Sequence, residues 1–183
     1  MLEIRRAVRA DLEAIWAIEV ESFPTPWPRS VLAKELGARR RPARYFVALV
    51  EGAVVGYIGT WCFLNEAHIM TVAVQPTCRR RGIGLRLVLT ALRDAHELGC
   101  DYVTLEHRVS NEPAAALYTQ LGFRFERTRR GYYADTGEDA HVLSIEGFQE
   151  PEWAQRLGEW EHAWEQQHGA QLGAAGAGAD PGH

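Results

Sequence analysis

The stretch His68-Ile-Met-Thr-Val-Ala-Val-Gln-Pro-Thr-Cys-Arg-Arg-Arg-Gly-Ile-Gly-Leu-Arg-Leu-Val-Leu-Thr-Ala-Leu92 changes its apolar period in mid-course. From His68 to Val74 it reads as a strand, which Pro76 ends. Leu85, Leu87, Val88, Leu89, Leu92 and Leu98 then form the apolar face of a long helix that Gly99 stops. The link between them, Arg79-x-x-Gly82-x-Gly84, gathers backbone N–H groups at the positive end of a helix dipole. Such a nest suits an anion. Glycines at 82 and 84 let phosphates reach the backbone past Ile83, and Arg79, Arg80 and Arg81 add charge-assisted bonds. By itself, Gly-x-Gly after a strand equally fits a tight turn, and the arginines fit a solvated charge run. The pattern is neither the Walker loop, which needs Gly-Lys-Ser/Thr, nor the three-glycine dinucleotide fingerprint.

Working outward toward the N-terminus, Tyr45 to Val50 and Ala53 to Phe63 flank Glu51-Gly52 as a hairpin, and with His68 to Val74 they make an antiparallel meander. Before them, Leu2 to Val8 alternates like a half-buried strand. Asp11 then precedes Leu12, Ile15, Trp16 and Ile18 at helical spacing. The segment Ser22-Phe-Pro-Thr-Pro-Trp-Pro28 is a proline-stiffened loop carrying Phe23 and Trp27, and Ser30 to Leu36 is a short helix ending at Gly37. Toward the C-terminus, Tyr102 to Glu106 is a strand. Ser110 or Asn111 caps a helix with Pro113 in its first turn and Ala114 to Leu121 as its body, and strands follow around Phe123 to Tyr133 and Ala140 to Ile145. The order is β-α-α-β-β-β-α-β-α-β-β.

Beyond Phe148 the character changes. Trp153, Leu157, Trp160 and Trp164 recur at steps of four, three and four, one stripe of a helix whose other faces carry Glu and Gln. That stripe either docks on its own domain or grips a partner. From Gly169 the chain is rich in Gly and Ala and is expected to be disordered. The divisions are 1–146, 147–168 and 169–183.

Composition limits the partners. The 183 residues are 46% apolar and 24% charged, which gives one domain with a real core. The charge-free run from Ala53 to Asn65 is shorter than the roughly 20 residues that cross a bilayer, and the N-terminus has no apolar signal region. The reading is a cytoplasmic protein with no membrane partner. Residues 147–183 carry a net −5 and the first 146 a net +1, which argues against direct nucleic-acid binding. Cys62, Cys78 and Cys100 are odd in number and widely spaced, so they suggest reduced thiols rather than a disulfide framework or a metal knuckle. The seven histidines show no helical His-x-x-x-His pair, and no metal is expected.

The blocks taken together resemble the GCN5-related N-acetyltransferase (GNAT) superfamily over residues 1 to about 146, and within it the RimI-type ribosomal-protein-alanine N-acetyltransferases. The match rests on Phe23-x-x-x-Trp27, Glu66-Ala-His-Ile69, Val72-Ala-Val74, Arg79 to Gly84, Leu105-Glu106, Arg108, Ser110-Asn111, Ala115, Leu117-Tyr118, Leu121-Gly122-Phe123, Arg130, Tyr132-Tyr133 and Glu138-Asp139-Ala140. The resemblance implies an α/β fold, a mixed and mostly antiparallel seven-stranded sheet. It would be splayed between strands four and five and flanked by four helices, here with a C-terminal helix added.

The resemblance also implies a site and a substrate. Acetyl-CoA would lie on Val72, Ala73 and Val74, on Arg79 to Gly84, and against Asn111 and Tyr118. Glu106 would be the general base, acting through a water, and Tyr118 the general acid that protonates the departing thiolate. Phe23, Trp27, Tyr132 and Tyr133 would wall the incoming peptide beside Glu106. The implied activity is acetylation of an N-terminal alanine on a small-subunit ribosomal protein by a monomer or weak homodimer. Acetylation of lysine or of a small amine on the same fold is the first alternative. The second is a non-catalytic acyl-CoA-binding module whose acidic helix grips a partner.

Plainer readings stand beside these. Glu106 and Arg108 share one face of a strand and fit a surface ion pair; Tyr118 sits at the core-facing spacing of its helix. Arg39 to Arg41 read as a solvated run. Tyr132 and Tyr133 alternate across a strand, which predicts that one of them is core. His107, where relatives usually carry Val, should face away from Glu106 and alter packing more than the base.

Overall fold

The computed structural model describes residues 1–37 and 42–173, which leaves Arg39 to Arg41 and the tail from residue 174 outside the described residues. Seven strands form one sheet: β1 (Leu2–Arg6), β2 (Ala43–Val50), β3 (Ala53–Phe63), β4 (Glu66–Val74), β5 (Tyr102–Arg108), β6 (Arg124–Tyr133) and β7 (Glu138–Glu146). Their order is β1-β2-β3-β4-β5-β7-β6, antiparallel throughout except for β4 against β5. Among the described residues five helices accompany them: α1 (Leu12–Ser22), α2 (Arg29–Gly37), α3 (Ile83–Glu97), α4 (Glu112–Gln120) and α5 (Pro151–Gly173). The element order read from hydrophobic periodicity is the one observed.

Strand β2 shows why the sheet is covered on both faces. Tyr45, Val47 and Leu49 point into a cluster with Leu12, Ile15, Ile18 and Leu32 from α1 and α2. Phe46 and Ala48 point the other way, to a cluster with Ile83, Leu87 and Leu92 from α3, Tyr118 from α4 and Leu121 just after it. Burial on both sides is what a near-continuous apolar strand requires.

One irregularity shapes the active face. Gly59 pairs with Thr71 and Thr60 with Ile69, so Met70 is an extra residue on β4. Such a bulge bends the strand and increases its twist. Pairing of β4 with β5 runs from Glu66↔Tyr102 to Ile69↔Leu105 and stops there. Beyond that point β4 stays on β3 as far as Val74, and β5 stays on β7 as far as Arg108. The two central strands thus part in a V that opens at Glu106.

The C-terminal helix docks on its own domain. Gln149 ties the chain after β7 to the α3–β5 turn, its backbone N–H to Asp101 at 3.0 Å and its side-chain amide to the carbonyls of His96 and Cys100 at 3.0 and 2.9 Å. From there Trp153, Leu157 and Trp164 are buried in the α3 cluster, with Trp160 packed beside them. The helix continues through Gly169 and Ala170 to Gly173, into the segment expected to be disordered. Helical hydrogen bonding, once propagating, carries a Gly/Ala run for a turn beyond its anchoring residues.

Candidate active site

At the apex of the V stands Glu106. Its parallel neighbour on β4 sets the geometry: His68 pairs with Thr104, so Glu106 is the diagonal residue on the same face. His68 Nε2 lies 2.6 Å from Glu106 Oε2, and Arg129 Nη1 from β6 lies 2.9 Å from Oε1. The Glu106 side chain is only 11% exposed, yet these partners, the His68 hydrogen bond foremost, hold its carboxyl below the usual carboxylate range against the opposing effect of burial. An ionised carboxylate only accepts, so in this pair His68 donates from Nε2.

Tyr118 lies on the opposite side of β5. It is buried, edge-on to Phe123 at 5.6 Å, and its ring is 6.2 Å from that of His107. Burial pushes its phenol well above the ordinary value, so the hydroxyl stays protonated. His107 does face away from Glu106. Its Nδ1 is 2.8 Å from the Arg108 carbonyl oxygen, and its ring packs on Tyr118 and on His141, beside the implied acid rather than the implied base.

The two tyrosines of β6 correct the expectation that one is core. Register slips between Arg129 and Tyr133, with Gly131 in the left-handed region at φ 58°. The slip brings both rings together, edge-on at 5.1 Å, and neither enters the core. The Arg129 guanidinium stacks on Tyr132 at 4.2 Å and that of Arg108 on Tyr133 at 4.0 Å. Burial first, with the Glu106 charge among smaller causes, pushes the Tyr133 phenol up to about 12. Both therefore stand at the Glu106 mouth of the cleft.

Arg79 to Gly84 lies at the other mouth. Gly82 is the N-cap of α3, left-handed at φ 75°, and no side chain caps the first turn, so its N–H groups remain available to a ligand. A cavity of about 350 Å³ opens here, walled by Val74, Cys78, Arg80, Ile83, Leu85 and Leu117 among others. Arg79 is partly committed, because its Nε donates to the Val74 carbonyl at 2.9 Å. Val72 and Val74 lie where β4 has lost its parallel neighbour, while Ala73 turns into the α1-side core. Asn111 Oδ1 accepts from Ala114 N at 3.2 Å as the cap of α4, which leaves its amide NH₂ for other partners.

Phe23 and Trp27 pack against the α1 cluster, and the Trp27 backbone N–H donates to Glu19 Oε1 at 2.8 Å. Glu19 itself is buried, its carboxyl raised by desolvation and hydrogen-bonded to the Tyr57 hydroxyl. Asp135, at the β6–β7 turn, accepts from Arg108 at 2.6 Å, so the turn is tied back to the end of β5.

Residues 12–123 match the model of the acetyltransferase (GNAT) family. This chain belongs to the GNAT family. As a GNAT enzyme it is an acetyl-CoA-dependent N-acetyltransferase. It is 36% identical over 154 residues to an N-alpha-acetyltransferase of Sulfurisphaera tokodaii, covering 77% of this chain and 90% of that protein. It is 32% identical over 137 residues to the ribosomal protein bS18-alanine N-acetyltransferase of Escherichia coli (strain K12), covering 74% and 90%. The crystal structure of the ribosomal-protein-S18-alanine N-acetyltransferase from Escherichia coli superposes with a TM-score of 0.74 at 30% identity, over 80% of this chain and 94% of that one. About a fifth of this GNAT chain therefore has no counterpart there.

The GNAT resemblance did not single out His68 or Arg129 for a role at the site. The signal for His68 was an ionisable side chain set between the apolar Ala67 and Ile69 in a central strand. Arg129 gave none, because the slip in β6 decides which way it points. Among the described residues no group of His, Cys, Asp or Glu is arranged to hold a metal, and no helix is long and apolar enough to cross a membrane.

Proposed function

We propose that this enzyme acetylates the α-amine of a protein N-terminus beginning with alanine, on a small-subunit ribosomal protein. The observation that carries the reading is the His68–Glu106 pair at the point where β4 and β5 part, between a tyrosine-walled mouth and an uncapped helix terminus. The names of the Escherichia coli and Sulfurisphaera relatives support it.

The cleft fits acetyl-CoA. The N–H groups of the first α3 turn and the Arg80 guanidinium would hold the diphosphate, the open edge of β4 at Val72 to Val74 would pair with the pantetheine amides, and the Asn111 amide would steady that arm. When bound, acetyl-CoA supplies the acetyl thioester. The chain's own residues handle protons.

An α-amine near pKa ~8 loses its proton at pH 7 for about 1.4 kcal/mol, against about 4.6 for lysine near ~10.4. Burial is outweighed at Glu106 by its partners, which hold the carboxyl below its usual range and make it a poor proton acceptor by itself, whereas the hydrogen-bonded imidazole offers a second basic atom. Glu106 and His68 therefore take the proton as a pair. The carboxylate orients the ring and stabilises the imidazolium, and a water carries the proton from the amine. Tyr118, protonated, donates to the leaving sulfur from the other side of β5.

The test is a panel of free-N-terminus peptides that differ only in the first residue, run beside an N-blocked, lysine-containing version. Highest kcat/KM for the alanine peptide with no turnover of the blocked one is expected. Equal turnover of the blocked peptide would move the assignment to lysine.

A further inference from the structure

We propose that Trp164 and His168 of α5 are positioning residues of the coenzyme loop, so that the C-terminal helix is a working part of the acyl-CoA site. The proposal rests on the reading of Arg79 to Gly84 as the diphosphate-binding turn. Helix α5 lies outside the 12–123 span of the family model.

Successive contacts fix its course. Glu161 bonds to Arg93 at 2.7 Å, the Trp164 ring lies under the Arg86 guanidinium at 5.5 Å, and His168 reaches Gly82. Helix α5 therefore runs antiparallel to α3 and ends on the terminus that would bind the anion. There it holds Gly82 from two directions. The Trp164 indole N–H donates to the Gly82 carbonyl at 2.8 Å, the same oxygen that accepts Arg86 N at 3.0 Å as the first hydrogen bond of α3. On the Cα side, the His168 ring is so close that a Cβ on Gly82 would come within 2.5 Å of Cδ2 and 2.6 Å of Nε2.

Gly82 is left-handed and carries no side chain, so apart from the Arg86 hydrogen bond little local constrains its two peptide planes. Those planes carry the N–H groups aimed at the ligand. Fixing them before binding removes an ordering cost that would otherwise subtract from affinity. Trp164 is 6% exposed, and neither it nor His168 is among the residues that line the cavity, although Gly82 is, so the clamp leaves the ligand's place open. By reciprocity, bound coenzyme must hold α5 more firmly in place.

The test uses the full chain and CoA itself, titrated by calorimetry into wild type, Trp164→Phe, His168→Ala and, as a control on the same helix away from the loop, Trp160→Phe. Trp164→Phe keeps a ring and removes only the N–H; its Kd for CoA should rise about three- to tenfold. The KM for acetyl-CoA should rise in step, with kcat and the peptide KM unchanged, a split that general loosening of the fold would not give. Trp160→Phe should bind as wild type, and CoA should slow amide exchange in the last turns of α5. Wild-type affinity in both Trp164→Phe and His168→Ala would overturn the proposal while leaving the loop assignment intact. No CoA binding by the wild type would overturn the loop assignment and the proposal with it.

Discussion

His68 Nε2 and Glu106 Oε2, 2.6 Å apart, join β4 and β5, the one parallel pair among the described strands, with Glu106 one residue beyond the last rung. The bond makes the carboxylate an orienter as much as a base. Glu106→Gln should lower kcat/KM by about 10²- to 10⁴-fold, the range for a lost acid–base group, and His68→Ala by a comparable factor. The double variant should be scarcely worse than either, because the two act as one unit. Steady-state kinetics of the four-member cycle checks this.

The pH profile follows from the same contacts. Since His68 and Arg129 keep the Glu106 carboxyl low, no rise in kcat/KM is expected near its titration. The rise should instead follow deprotonation of the substrate α-amine, near pH ~8.

Tyr118→Phe preserves the packing on Phe123 and His107 while deleting the hydroxyl. It should lower kcat by about 10²-fold with little change in the KM for peptide and a thermal midpoint close to wild type. Because burial raises the phenol pKa, no loss of wild-type activity from its ionisation is expected at mildly alkaline pH.

Arg5 grips Asp11 through two bonds of 2.7 and 2.8 Å, and Val8 N–H adds a third at 2.8 Å to a carboxylate only 7% exposed. The Arg5 hydrogen bond, as the leading cause, lowers the Asp11 pKa. The stability it contributes is thus fully present above the unfolded value near ~3.9 and lost as pH falls through the lower folded value. Asp11→Ala should destabilise by about 1 to 3 kcal/mol at neutral pH, and the gap from wild type should narrow below pH 4 in urea titrations.

Leu157 is 0% exposed where α5 crosses the α3 cluster. Leu157→Ala should cost about 2 to 5 kcal/mol in chemical denaturation, with one cooperative transition if α5 is integral to the domain.

What could be read from the sequence was local. Proline, glycine and the switch of period from two to 3.6 mark the elements around Arg79 to Gly84 because each is decided within a few residues. Residue type and place announced a cap at Ser110 or Asn111, and it is Asn111 that accepts from Ala114 N. What depends on register was hidden: the Met70 bulge exists only relative to β3, the His68–Glu106 contact only through the pairing of β4 with β5, and the shared face of Tyr132 and Tyr133 only through the slip around Gly131. The Trp stripe of α5 showed that a face would be covered, but not that its far end would reach Gly82.

The most direct measurement is thiol release from acetyl-CoA on addition of an alanine-first peptide, followed side by side in wild type and Glu106→Gln. The expected result is turnover by the wild type, with the acetyl group found by mass on the peptide's α-amine, and a loss of at least about a hundredfold in the variant. Wild-type turnover surviving in Glu106→Gln, or no acetylated α-amine from the wild type, would contradict the assignment of chemistry to the gap between β4 and β5.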